Sequence, residues 1–260
     1  MLARLAPPAP TAYHRLNPLT KATLAAALTV AAMVHGGYAV PALLLATAVV
    51  SAQVAGLLDR SVRIALIVSL PVLVSVALVS VLFRPGSTVL VALGPFDITA
   101  EGIDVAARLS LRLFVAALSL TVFALTTDAR SLVADLERRG ISPRLTFAAG
   151  AALEAVPAMV ERARTVTAAQ RSRGLDTEGS VGARLRGLRP LVGPVLLSAI
   201  AEVDARSLAL EARAFGRPGQ RHPLWAPVDA PAQRVARWAM VSGVIVLIVG
   251  RVAGPLAWIP

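Results

Sequence analysis

The sequence predicts an all-α polytopic membrane protein with long amphipathic helices on the cytoplasmic side, and three observations carry that prediction. Hydrophobic residues make up 56% of the 260, with a mean hydropathy of +0.70, too apolar for an ordinary soluble domain. Charge is confined to 16% of residues and is unevenly spread. Several uncharged runs reach the length of a bilayer crossing, and backbone in lipid must satisfy its own hydrogen bonds, which helices do.

Residues 1–127 form the first part, an N-terminal membrane domain of about four helices. Across residues 22–58 only His35 can carry charge. That run is long enough for two crossings, with His35-Gly36-Gly37-Tyr38 as the turn. Residues 64–83 are a second clean run. The third, 113–127, is short and lengthens if Arg108 and Arg112 sit at the membrane edge or face protein. Pro41 and Pro71 fall within crossings, where proline marks a kink more often than a break. Residues 84–104 contain Pro85-Gly86 and Gly94-Pro95 and read as an external turn. The first 18 residues have no apolar core of signal-peptide length.

Residues 128–233 are the second part, a cytoplasmic coupling region. Thr127-Asp128 starts a short helix that runs to Gly140, with Asp135 and Arg139 spaced as an i, i+4 pair. Ser142-Pro143 opens the next helix. Leu145, Ala149, Leu153, Val156, Val160 and Ala163 recur every three or four residues, an amphipathic helix of about eight turns ending at Gly174. A connector follows, 175–189, and a second long helix starts near Pro190 and stops at Gly216. Both helices begin apolar and finish charged. Residues 234–260 form the third part, a last membrane helix interrupted by Arg251, with Trp238 and Trp258 as interface anchors.

A net charge of +11 invites nucleic acid as a partner, but its distribution argues for the lipid bilayer instead. Residues 127–237 hold 17 of the 26 basic residues and 11 of the 15 acidic ones. Loop charge alternates along the chain in the positive-inside pattern. Arg4, Arg15 and Lys21 place the N-terminus in the cytoplasm, and the 35–38 turn falls outside.

The chemistry of catalysis is missing from the pattern. No phosphate-cradling Gly-rich loop is present. His14, His35 and His222 are scattered, and there are no cysteines, so no metal set is expected. Asp128, Asp135, Glu154 and Glu161 fit helix caps and ion-pair partners. Glu154 stands out, because its helical neighbours are almost all apolar, and an arginine partner is expected for it. We expect no cofactor and no enzymatic activity.

Two short motifs remain, Ser172-Arg173-Gly174 and Ala212-Arg213-Ala214. Each puts an arginine between small residues at the end of a long helix. Such a guanidinium stands clear of its helix and can donate its planar fork to a groove on another protein, as lysine cannot. Either motif alone is also what a solvated helix end looks like. Two similar knobs point to two similar grooves.

These residues, with Tyr13 to Lys21 and with Leu132-Val133-Ala134-Asp135-Leu136 and Gly140-Ile141-Ser142-Pro143, resemble the transmembrane (T) component of energy-coupling factor transporters, a class of ABC importers for vitamins and transition-metal ions. The resemblance covers most of the chain. It implies that Ser172, Arg173, Gly174, Ala212, Arg213 and Ala214 dock two ABC ATPase subunits, on helices that cross beneath a prokaryotic plasma membrane. It implies further that other faces of those helices carry a membrane-embedded substrate-binding (S) component. Ala148, Ala149 and Ala152 lie on a small-residue surface of the first long helix that either meets that component or packs against the chain's own membrane helices. A pore-lining permease subunit of a conventional ABC importer is the alternative, but it couples through one short loop. A membrane-embedded lipid transferase would need clustered acids.

Overall fold

A computed structural model of the chain describes residues 11–93, 96–174, 181–215 and 228–254. In order, the elements are α1 (Pro18–Val34), α2 (Ala39–Val54), α3 (Leu58–Phe83), β1 (Val89–Leu93), β2 (Phe96–Thr99), α4 (Ala100–Thr126), α5 (Ala129–Arg138), α6 (Pro143–Ser172), α7 (Val181–Ala212) and α8 (Pro231–Val252). They fall into two compact units, Met1–Leu132 with Pro227–Pro260, and Val133–Ala226.

The first unit is a helical membrane bundle. Helices α3, α4 and α8 are long and apolar enough to cross a bilayer, and α1 and α2 are shorter apolar helices. Asn17 caps α1 by accepting from Leu19 N at 2.9 Å, and Pro18 takes the first turn, where no amide is needed. The turn between α1 and α2 falls at residues 35–38, as the uncharged run implies. Pro41 lies in the first turn of α2 rather than at a kink, so it costs no helical hydrogen bond. Pro71 is inside α3, which continues through it.

Helix α4 packs against α1, α2 and α3. Its Leu118 and Val122 are buried with Leu28, Ala48, Ala52 and Ala65. Alanines at those crossings let backbones approach where lipid supplies no hydrophobic drive. At Gly102 the approach is closer still: a Cβ there would lie 2.7 Å from the Ser80 carbonyl oxygen. Thr29 and Ser119 join α1 to α4 through their hydroxyls, 3.2 Å apart. The outward side of α3 exposes Ile67, Val68, Leu70 and Val74, a surface that lipid tails cover.

One end of this bundle is fastened by polar bonds. Lys21 is 3% exposed. Its Nζ donates to the Thr126 carbonyl at 2.8 Å and the His14 carbonyl at 3.2 Å, and it lies over the Tyr13 ring. Asn17 N donates to Gln233 Oε1 at 2.8 Å, and Arg237 donates to Thr20 Oγ1 at 2.8 Å while pairing with Asp229 at 2.9 Å. The starts of α1 and α8 and the end of α4 are thereby joined.

Three features of this unit differ from the sequence reading. Helix α4 begins at Ala100, where Thr99 caps it by accepting from Gly102 N, and Arg108 turns to protein, pairing with Asp104 at 2.7 Å and lying over Tyr38, which offsets its place in an apolar helix. The stretch read as an external turn holds an antiparallel hairpin in which Leu93 faces Phe96. Helix α8 starts at Pro231, with proline in its first turn. Trp238 is exposed on it, and Trp258 lies outside the described residues.

Candidate functional site

The second unit carries the two arginine motifs. It opens on the rest of α5, which closes at Gly140 in the left-handed region (φ +95°). Ile141 N donates to Leu136 O and Gly140 N to Glu137 O, the paired bonds that satisfy the last carbonyls of a helix. Asp135 is buried against Arg139 at 3.2 Å and Arg138 at 3.9 Å, the pairing its spacing implies. Before α5 the Thr127 hydroxyl is buried with no hydrogen bond, and the Asp128 carbonyl receives Leu132 N and the Ser131 hydroxyl. Ser142 takes the cap position of α6 without a side-chain bond, so Pro143 defines that start.

Helix α6 ends where the sequence places its stop. Arg173 follows its last turn, and Gly174 takes φ +88° with its N–H on Arg171 O. Helix α7 ends in the same way at Ala212. Phe215 N donates to Leu210 O and Ala214 N to Glu211 O, both at 2.9 Å. Ala214 therefore stands at the left-handed position (φ 57°), the one non-glycine there among the described residues. In each motif the residue after the arginine is left-handed, and the arginine, just past the last helical residue, is exposed.

Helix α7 is longer than expected. It starts at Val181, within the stretch read as a connector, and runs past Pro190 and Pro194. Three glycines, among them Gly182 and Gly187, made that stretch look like a loop, yet Val181, Leu185, Leu188 and Val192 keep helical spacing.

The two long helices pack on one another. Phe147, in the first turns of α6, meets Phe215, just past the end of α7, with ring centroids 4.9 Å apart. The start of one helix thus lies by the end of the other. From Phe147 to Arg173 is about 39 Å along α6 at about 1.5 Å per residue. The two arginines accordingly stand far apart, one towards each end of the pair. Between them runs an ionic chain. Glu202 pairs with Arg162 across the helices and with Arg206 at 2.9 Å, and Arg206 reaches Glu154 at 3.9 Å. Glu154 has the arginine partner its apolar surroundings demand. The Arg162–Glu202 link was missed, because nothing in one sequence shows which faces of two helices meet.

Beside this chain is a groove of about 370 Å³ lined by Ala151, Ala152, Ala155, Met159, Val203 and Leu210, among others. Ala152 lines it; Ala148 and Ala149 are exposed on α6 and do not. Leu145, Val156 and Val160 of α6 and Leu196, Leu197, Ile200, Val203 and Leu208 of α7 are exposed. So much bare apolar surface marks a place of contact with protein or membrane. Among the described residues no cluster of His, Cys, Asp and Glu could hold a metal ion.

A bundle of apolar helices joined in sequence to two long arginine-ended helices defines a polytopic membrane protein. The family profile described as cobalt transport protein (CbiQ) matches residues 10–223. Energy-coupling factor transporter transmembrane proteins align as well. That of Heliobacterium modesticaldum is 37% identical over 181 residues, 66% of this chain and 67% of the relative. That of Thermosediminibacter oceani is 29% identical over 221 residues, 80% and 82%. A putative ABC transporter ATP-binding protein of Bifidobacterium longum is 31% identical over 237 residues, 87% of this chain and 30% of that protein. The chain belongs to the CbiQ family and is a transmembrane component of an energy-coupling factor transporter.

Proposed function

We propose that the chain is the energy-coupling scaffold of an ABC importer for a vitamin or transition-metal ion, holding two ATPase subunits and a membrane-embedded S component. The observation that carries this reading is the matched pair of helix ends: Arg173 and Arg213, each exposed just past a last turn, each followed by a left-handed residue, at opposite ends of one helix pair. Their separation suits two partner subunits rather than one. Similarity to an ABC transporter ATP-binding protein over 87% of this chain supports a working relation with such ATPases.

In this mechanism ATP draws the two ATPases together and the docked arginines follow. Helices α6 and α7 then shift along their crossing, and the exposed apolar faces beside the Ala152 groove pass that movement to the S component. The chain lies in a prokaryotic plasma membrane with its N-terminus and the α5–α7 region in the cytoplasm, the orientation the loop charges favour. The experiment is co-purification of ABC ATPases with the tagged chain. Arg173→Ala and Arg213→Ala should each weaken the complex by about 2–5 kcal/mol and together abolish it, with membrane insertion unchanged. A double variant that retains a full complement of ATPase contradicts the docking role.

A further inference from the structure

The membrane bundle has a second polar end, formed by the end of α1, the first half of α4 and the end of α8, and its charges do not balance. Arg112 of α4 and Arg251 of α8 meet over Gly36. A Cβ placed on that glycine would lie 3.8 Å from Arg251 Nη2 and 4.0 Å from Arg112 Nη2. Neither arginine has a carboxylate or a hydrogen-bond acceptor among the described residues, and Arg112 Nε is buried without a partner. Next along the chain, His35 is 4% exposed, and both of its ring nitrogens are buried without a hydrogen bond.

The nearby acids among the described side chains are already engaged. Asp104 pairs with Arg108 and accepts from the Tyr38 hydroxyl at 2.7 Å. Glu101 accepts from the Ser87 and Thr88 hydroxyls at 2.8 and 3.0 Å. Buried polar atoms are satisfied in the great majority of proteins, and exceptions point to a missing partner. Two guanidinium groups beside lipid, with no counter-charge among the described residues, call for an anion from outside them.

We propose that Arg112 and Arg251, over Gly36, form a site for a phosphate group. Phosphate suits two planar forks that converge on one point, because its tetrahedral oxygens can be shared between them. The depth suits a phospholipid headgroup: His35 follows the last residue of α1, and Arg251 is in the last turn of α8. A Cβ at Gly36 would only touch the two guanidinium groups, but a larger side chain there would enter the space between them.

The test uses the purified full-length chain, stripped of lipid and offered dioleoylphosphatidylglycerol or millimolar inorganic phosphate. Native mass spectrometry reads lipid retention and thermal stability reads phosphate. Parent protein should hold one phospholipid per chain. Arg251→Gln should cut retention by at least about tenfold, the typical cost of losing a charge-assisted contact. Gly36→Leu should do the same while keeping both charges, so a loss through misfolding of Arg251→Gln does not leave the matter open. Stabilisation by inorganic phosphate that these variants abolish assigns the site to free phosphate; lipid retention without it assigns the site to headgroups. Equal retention by parent, Arg251→Gln and Gly36→Leu, with no response to phosphate, overturns the proposal.

Discussion

The two units of this protein are both helical and both rich in exposed apolar residues, but they are held together differently. In the membrane bundle, α4 buries Leu118 and Val122 among alanines of three other helices, and a buried ammonium from Lys21 joins α1 to α4. In the second unit, Thr146 is the buried residue of α6. Its helices are linked by the Arg162–Glu202–Arg206 chain and the Phe147–Phe215 contact. A membrane helix needs no apolar core on its lipid side, because lipid covers it. The same bareness on α6 and α7 lies on the cytoplasmic side in the proposed topology, and there only protein partners or the membrane surface can cover it. The contrast separates a part built to persist alone from a part built to be completed by others.

The largest effect that would break this contrast lies in the bundle. Lys21→Met removes a buried charge-assisted link and leaves the Thr126 carbonyl without its donor, so stability should fall by about 2–3 kcal/mol. Thermal unfolding in detergent measures it, and an unchanged melting temperature would show that Lys21 does not fasten the bundle. Next is Ala152→Leu, which fills the groove between α6 and α7. We expect it to weaken S-component retention about tenfold while the ATPases stay bound, from a steric overlap of about 1–3 kcal/mol. A pull-down scored separately for each partner decides; loss of all partners together would favour internal packing of that surface.

Smaller is the effect of Arg162→Gln. That pair is about one-third exposed, so its loss should cost about 1 kcal/mol or less. Faster amide exchange should then be confined to α6 and α7, and faster exchange in α1 or α4 as well would contradict the division into two units. The smallest change is stabilising. Ala214→Gly relieves a left-handed alanine and should add up to about 1 kcal/mol without disturbing Arg213. Hydrogen exchange at Phe215 reads it, and destabilisation would show that the strain is not there.

Much of the fold was legible because lipid imposes a simple rule on composition. The uncharged run of 22–58 gave two helices and their turn, and Ser142-Pro143 with Gly174 bracketed α6 within a residue or two. What stayed hidden depends on meetings between helices. Arg108 shortened the apparent fourth crossing until Asp104 and Tyr38 were seen to receive it. Pro190 looked like a helix start, although α7 passes through it. Both arginine motifs were legible as local strings. That Ala214 copies the left-handed turn of Gly174 was not, since alanine rarely adopts it.

The central claim is that each arginine-ended helix holds its own ATPase subunit. The chain contains no cysteine, so Ser172→Cys and Ala212→Cys each introduce one unique thiol beside its arginine. In membranes from cells that also produce the ATPases, a short thiol–amine cross-linker should join either variant to an ATPase subunit, and the chain carrying both thiols should be joined to two. Cross-linking at one position only, or at neither while the complex remains assembled, would contradict the account.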